Sequence, residues 1–182
     1  MSEGVAIWLT GMSGAGKSTI ANGLKRELEL RDRKVEVLDG DEVRTHLSEG
    51  LSFTREDRDI NVARIAFVAS LLVRHGATVI TAMISPYVAA REAARERIGS
   101  FVEVYVRCSI EELTRRDVKG LYARALRGEI PHFTGISDPY EPPKNPDVTV
   151  DSATETPDES IAKIIAALEE RGYCSPQSSS AK

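Results

Sequence analysis

Gly11-Met12-Ser13-Gly14-Ala15-Gly16-Lys17-Ser18 fits the pattern of a phosphate-binding loop, and it follows directly on the apolar run Val5-Ala6-Ile7-Trp8-Leu9. Beyond it, apolar positions at Ile20, Leu24 and Leu28 recur at helical spacing. Strand, glycine-rich turn and helix in that order are the context the pattern requires. The glycines let successive backbone N–H groups converge on one concavity, where an anion also meets the positive end of the following helix. Gly11, Ser13, Gly14, Ala15, Gly16 and Thr19 belong to that cradle, Lys17 reaches the β- and γ-phosphates, and Ser18 offers a hydroxyl to Mg²⁺. A ligand-free turn with all these features by chance is the weaker reading.

Working outward, apolar runs alternate with helix-like segments, the signature of a parallel sheet covered on both faces. Strands are predicted at 5–10, 35–38, 78–83, 101–106 and 147–150, with helices near 17–31, 57–75, 86–97, 110–117 and 157–171. This is an α/β fold of the P-loop NTPase type: a three-layer sandwich with a five-stranded parallel sheet flanked by helices. Residues 1–173 read as a single domain, and the serine-rich stretch 174–182 reads as a disordered tail.

The 182 residues suffice for one sizeable core but not for a motor with attached machinery. Twenty-four Lys and Arg against 28 Asp and Glu give a net charge of −4, which argues against a nucleic-acid or membrane surface built on bulk electrostatics. Cys108 and Cys174 have neither metal-ligand nor disulfide-framework spacing, and Cys108 reads as a small core residue. His46, His75 and His132 share no ligand spacing and read as surface or edge residues. With no long apolar run and no basic leader, a cytoplasmic protein is expected.

Ligands of an open α/β sheet sit beyond the carboxyl ends of its strands. There the second strand gives Asp39-Gly40-Asp41-Glu42-Val43-Arg44 and the third Ile84-Ser85-Pro86-Tyr87. Carboxylates beside a triphosphate can bind Mg²⁺ or take a proton from an attacking hydroxyl, so Asp39 is the candidate base and Asp41 a second metal or substrate group. Asp-Gly-Asp on its own also suits a plain turn. Thr54 is a candidate helix cap with Asp57 three residues on, and Arg58 and Asn61 project from one side of that helix with Phe53 just before it. The basic, glycine-punctuated segment from Asp117 to Ile136 looks like a lid that excludes water from the γ-phosphate.

Taken in order, Gly-Met-Ser-Gly-Ala-Gly-Lys-Ser-Thr, Leu-Asp-Gly-Asp, Phe-Thr-Arg-Glu-Asp-Arg-Asp-Ile-Asn, Ile-Ser-Pro-Tyr, Asp-Val-Lys-Gly-Leu-Tyr and Phe-Thr-Gly-Ile resemble the blocks of the adenylylsulfate kinases over nearly the whole chain. The resemblance implies an ATP-dependent transferase that phosphorylates the 3′-hydroxyl of adenosine 5′-phosphosulfate in sulfate activation, with Mg²⁺ as cofactor. It implies that Asp41, Arg44, Arg58, Asn61, Ile84, Ser85 and Lys119 serve the sulfated nucleotide, that Phe53 and Phe133 sandwich its adenine, and that Arg116 lies on the ATP side. It places Ser85 where some members were proposed to carry a phosphoserine. It also implies a homodimer and a partner ATP sulfurylase, with no nucleic-acid partner. Val88 and Ala63 stand where many members have arginine, and Arg64 and Arg91 are the residues expected to compensate. The alternatives are another small-molecule kinase of the same fold, or a non-catalytic domain that binds the product; intact Lys17, Ser18 and Asp39 weigh against the second.

Overall fold

The computed structural model describes residues 3–117 and 119–176. Strand β1 (Val5–Thr10) is fully buried and lies in the middle of a five-stranded parallel sheet. β2 (Val35–Asp39) and β3 (Thr78–Ala82) lie on one side of it, β4 (Phe101–Arg107) and β5 (Val148–Asp151) on the other, in the order β2-β3-β1-β4-β5. Alternation along β1 divides the core into two layers. Val5, Ile7 and Leu9 face α1 (Lys17–Glu29) and α7 (Pro157–Glu170), whereas Ala6 and Trp8 face α3 (Arg55–Arg74) and α4 (Val88–Ile98). The expected three-layer sandwich is present.

Local chemistry sets the helix starts. Thr54 accepts the Asp57 N–H at the head of α3, and Thr156 and Glu159 form a reciprocal capping box ahead of Pro157. Five helices and all five strands were readable from the sequence, with ends displaced by one or two residues, α5 being Ile110–Arg116. Two short helices were not read: α2 (Gly40–His46) and α6 (Leu121–Leu126). The Asp-Gly-Asp start of the first suits a turn, and the second lies inside the glycine-punctuated segment read as a lid. The stretch after β2 is thus a helix start rather than a turn, with Asp39 as its cap.

The start of the tail also needs correction. Cys174 is buried in the same core layer as Ile164 and Leu168, and the Tyr173 N–H donates to the Leu168 carbonyl, so the packed chain continues past 173. Residues 177–182 lie outside those described. Among the described residues, no helix is long and apolar enough to cross a membrane.

Candidate active site

The carboxyl ends of β1, β2 and β3 open into a cleft of about 420 Å³, floored by the phosphate loop and bounded by α2, the start of α3, the 84–86 loop and the lid. Gly11 is dictated by packing: a Cβ there would stand 2.4 Å from the Val106 carbonyl oxygen, so only glycine lets the loop leave β1 against β4. Gly16 adopts the left-handed conformation, with φ of 95°, directly before α1.

Lys17 is buried, and its ammonium donates to the Gly11 and Met12 carbonyls, each at 2.8 Å. Burial pushes its pKa from 10.5 down to about 8, against the upward pull of Asp39 and Asp41. The Ser18 hydroxyl donates to Asp39 Oδ2 at 2.6 Å, while Asp39 Oδ1 accepts the Asp41 N–H at 3.0 Å. One carboxylate therefore holds the Ser18 hydroxyl and fixes the start of α2. Hydroxyl and carboxylate oxygens are hard donors, and no cluster of three His, Cys, Asp or Glu side chains suited to a metal is found among the described residues. The pair suits an ion that takes its remaining ligands from phosphate oxygens and water, as Mg²⁺ does. Asp41 lies at the rim, its side chain 88% exposed and 3.6 Å from Lys119 of the lid.

The opposite wall is aromatic and basic. Phe53 is 52% exposed, with the Arg44 guanidinium 4.2 Å above its ring. Arg58 is buried and gripped: Nε donates to the Phe53 carbonyl at 2.8 Å and an Nη to the His132 carbonyl at 2.6 Å. Asn61, one turn on, is buried and lines the cleft, and its Oδ1 meets no hydrogen-bond donor among the described residues. A buried acceptor without a partner, on a residue that lines a cleft, points to ligand recognition.

Ile84 and Ser85 line the same cleft. Ser85 is buried at a positive φ of 39°, with its hydroxyl accepting the Trp8 indole N–H at 3.1 Å and its carbonyl accepting Arg91 at 2.7 Å. Arg116 lines the far end, where it donates to Glu112 and to the Ser152 carbonyl.

Of the expected site residues, Ser13, Gly14, Gly16, Thr19, Asp39, Arg44, Ile84 and Lys119 all line the cleft with those just described, while Gly11 and buried Ala15 support the loop from behind. Phe133 does not join Phe53. It packs on the core, edge-on to Tyr122 with ring centroids 5.0 Å apart. Long-range packing of the lid decides this, and spacing carries no trace of it. Arg64 and Arg91 do not replace the arginines missing at 63 and 88. Arg64 donates to the Leu47 carbonyl, and Arg91 is buried in a pair with Glu103 at 2.8 Å. Among the cleft residues that were missed, two make side-chain hydrogen bonds: Tyr122, whose hydroxyl donates to the Ser13 carbonyl at 2.7 Å, and Asp117, which accepts the N–H groups of Tyr122 and Ala123. An aromatic residue in an otherwise basic lid was the available signal for Tyr122.

The family model for adenylylsulphate kinase matches residues 3–151. The chain belongs to the adenylylsulphate kinase family. An adenylyl-sulfate kinase of Gloeothece citriformis is 55% identical over 94% of this chain and 97% of its own length. A probable bifunctional SAT/APS kinase of Sorangium cellulosum is 58% identical over 94% of this chain, which spans only 29% of that longer protein. Among solved structures, the Mycobacterium tuberculosis APS kinase CysC, in complex with AMPPNP and APS, superposes with a TM-score of 0.89 at 40% identity and covers 93% of this chain and 99% of that one. Family membership makes the protein a kinase.

Proposed function

We infer that the cleft transfers the γ-phosphoryl group of ATP to the 3′-hydroxyl of adenosine 5′-phosphosulfate, giving 3′-phosphoadenosine 5′-phosphosulfate and ADP. The observation that carries this reading is the facing of two halves: Lys17, Ser18 and Asp39 on the phosphate side, and Phe53, Arg44, Arg58 and Asn61 on the other. The complex of the Mycobacterium tuberculosis relative with AMPPNP and APS supports it.

Phosphoryl transfer asks mainly for positioning and charge stabilisation. Lys17 and the loop amides stabilise charge on the transferring group. Ser18 and Asp39 would hold Mg²⁺, which on binding neutralises phosphate charge. Asp39 orients the acceptor hydroxyl and takes its proton late, and Asp41 holds Lys119 at the rim. Phe53 offers a face for the adenine, Arg44 and Arg58 supply cations for the sulfate and phosphate, and Asn61 supplies a buried, unpartnered acceptor. Ser85 shapes its loop through Trp8 and Arg91. The same proposal includes a cytoplasmic homodimer and an ATP sulfurylase as partner, both resting on the family resemblance.

The test is direct. The protein is incubated with MgATP and adenosine 5′-phosphosulfate, and a parallel panel offers shikimate, gluconate and nucleoside monophosphates. The 3′-phosphorylated product from the first mixture alone is expected; turnover of another acceptor in its place overturns the assignment.

A further inference from the structure

Three consecutive carbonyls of the phosphate loop are held by donors. Lys17 takes those of Gly11 and Met12, and the third, of Ser13, accepts the Tyr122 hydroxyl at 2.7 Å. The first two donors belong to the loop's own helix; the third comes from α6 in the lid, 109 residues away in sequence. Tyr122 is buried and held at its backbone and its ring. Asp117 accepts its N–H at 2.9 Å, Phe133 stands edge-on to its ring, and burial pushes its phenol well above the ordinary range, which keeps the proton available for donation.

A peptide group is planar, with C=O and N–H pointing in opposite directions. Fixing the Ser13 carbonyl toward Tyr122 therefore aims the Gly14 N–H to the other side. Left unheld, that peptide plane could turn and present a carbonyl dipole where phosphate oxygens must bind. Gly14, at φ of 76°, has little steric reason to resist such a turn.

We propose that Tyr122 is a positioning residue for the nucleotide: its hydroxyl, carried on the lid, locks the Ser13–Gly14 peptide in the orientation that receives phosphates. The lid is thereby a structural part of the phosphate loop as well as a cover. The inference rests on the ATP side of the proposed function and not on the identity of the acceptor.

The experiment is direct nucleotide binding, without acceptor, by isothermal titration calorimetry of the wild type and Tyr122→Phe, with MgATP, MgADP and AMP, beside thermal melts. Phenylalanine keeps the ring packing and removes only the donor. Loss of one such hydrogen bond is expected to weaken MgATP about five- to tenfold, to weaken MgADP as well, and to leave AMP nearly unchanged, with the melting temperature close to wild type. Unchanged MgATP affinity, or equal weakening of all three nucleotides, overturns the proposal. Should Tyr122→Phe fail to fold, 3-fluorotyrosine at position 122 keeps the ring and makes the hydroxyl a better donor. MgATP should then bind more tightly, and equal or weaker binding overturns the proposal. Failure of the acceptor assignment would leave all these binding results untouched.

Discussion

The Ser18 hydroxyl lies 2.6 Å from Asp39, so the end of β2 is tied to the first turn of α1 across the floor of the cleft. The same carboxylate caps α2. Asp39→Asn separates the two duties, because asparagine caps helices about as well as aspartate but carries neither charge nor basicity. The melting temperature should barely move, while turnover at saturating substrates falls by about 10²- to 10⁴-fold. Wild-type turnover in a folded Asp39→Asn protein would remove Asp39 from the chemistry.

Lys17 makes nucleotide binding depend on pH. The unfolded chain keeps its proton up to about 10.5, while the folded protein without nucleotide releases it at about 8. Between those values the unfolded state binds more protons, so stability rises with pH across that window; below it both states are protonated and the cost of the buried charge, about 3 kcal/mol, is fully present. A bound triphosphate restores the charge, so ATP binding above about pH 8 should take up a proton and weaken as pH rises. Calorimetry in two buffers of different ionisation enthalpy reads the uptake directly, and Lys17→Met should abolish it.

Phe53 and Phe133 should respond differently to truncation. Phe53 is half exposed at the cleft, and stacking on a base is worth about 1–3 kcal/mol. Phe53→Ala is therefore expected to raise the KM for adenosine 5′-phosphosulfate about tenfold or more, with KM for ATP and the melting temperature little changed. Phe133 packs on the core and on Tyr122, so Phe133→Ala should lower the melting temperature first. A selective KM effect without destabilisation in Phe133→Ala would restore the two-ring sandwich.

Asn61 offers a trade between stability and recognition. Its buried Oδ1 meets no donor among the described residues, and a buried acceptor left unpaired costs about 1–3 kcal/mol. Asn61→Leu should leave the melting temperature equal to or above wild type while raising the acceptor KM. A variant that melts lower and binds the acceptor normally would reassign Asn61 to the core.

Much of this arrangement was legible before any coordinates, because its logic is local. A phosphate loop needs its strand and helix on either side, a strand-end carboxylate needs only its position, and Arg58 and Asn61 share a helix face by spacing alone. What spacing could not carry were the contacts that close over long separations. Phe133 goes to the core because the lid folds back on Tyr122. Arg91 is consumed by Glu103 and the Ser85 carbonyl, so it is not free to stand in for an absent arginine at 88. The helices around Val43 and Tyr122 escaped because Asp39-Gly40-Asp41 and the glycines flanking the second carry turn chemistry that masks a helix of one or two turns.

Trp8 is the chain's sole tryptophan; it is fully buried, stacked on Phe101, and donates its indole N–H to Ser85. Its fluorescence therefore comes from one defined site whose polar contact ends on the 84–86 loop that lines the cleft. Any rearrangement of that loop on substrate binding must alter the hydrogen bond or the local field at the indole, and with it the emission. The protein thus contains its own optical probe of the cleft-lining 84–86 loop, with no label to attach and no second tryptophan to subtract.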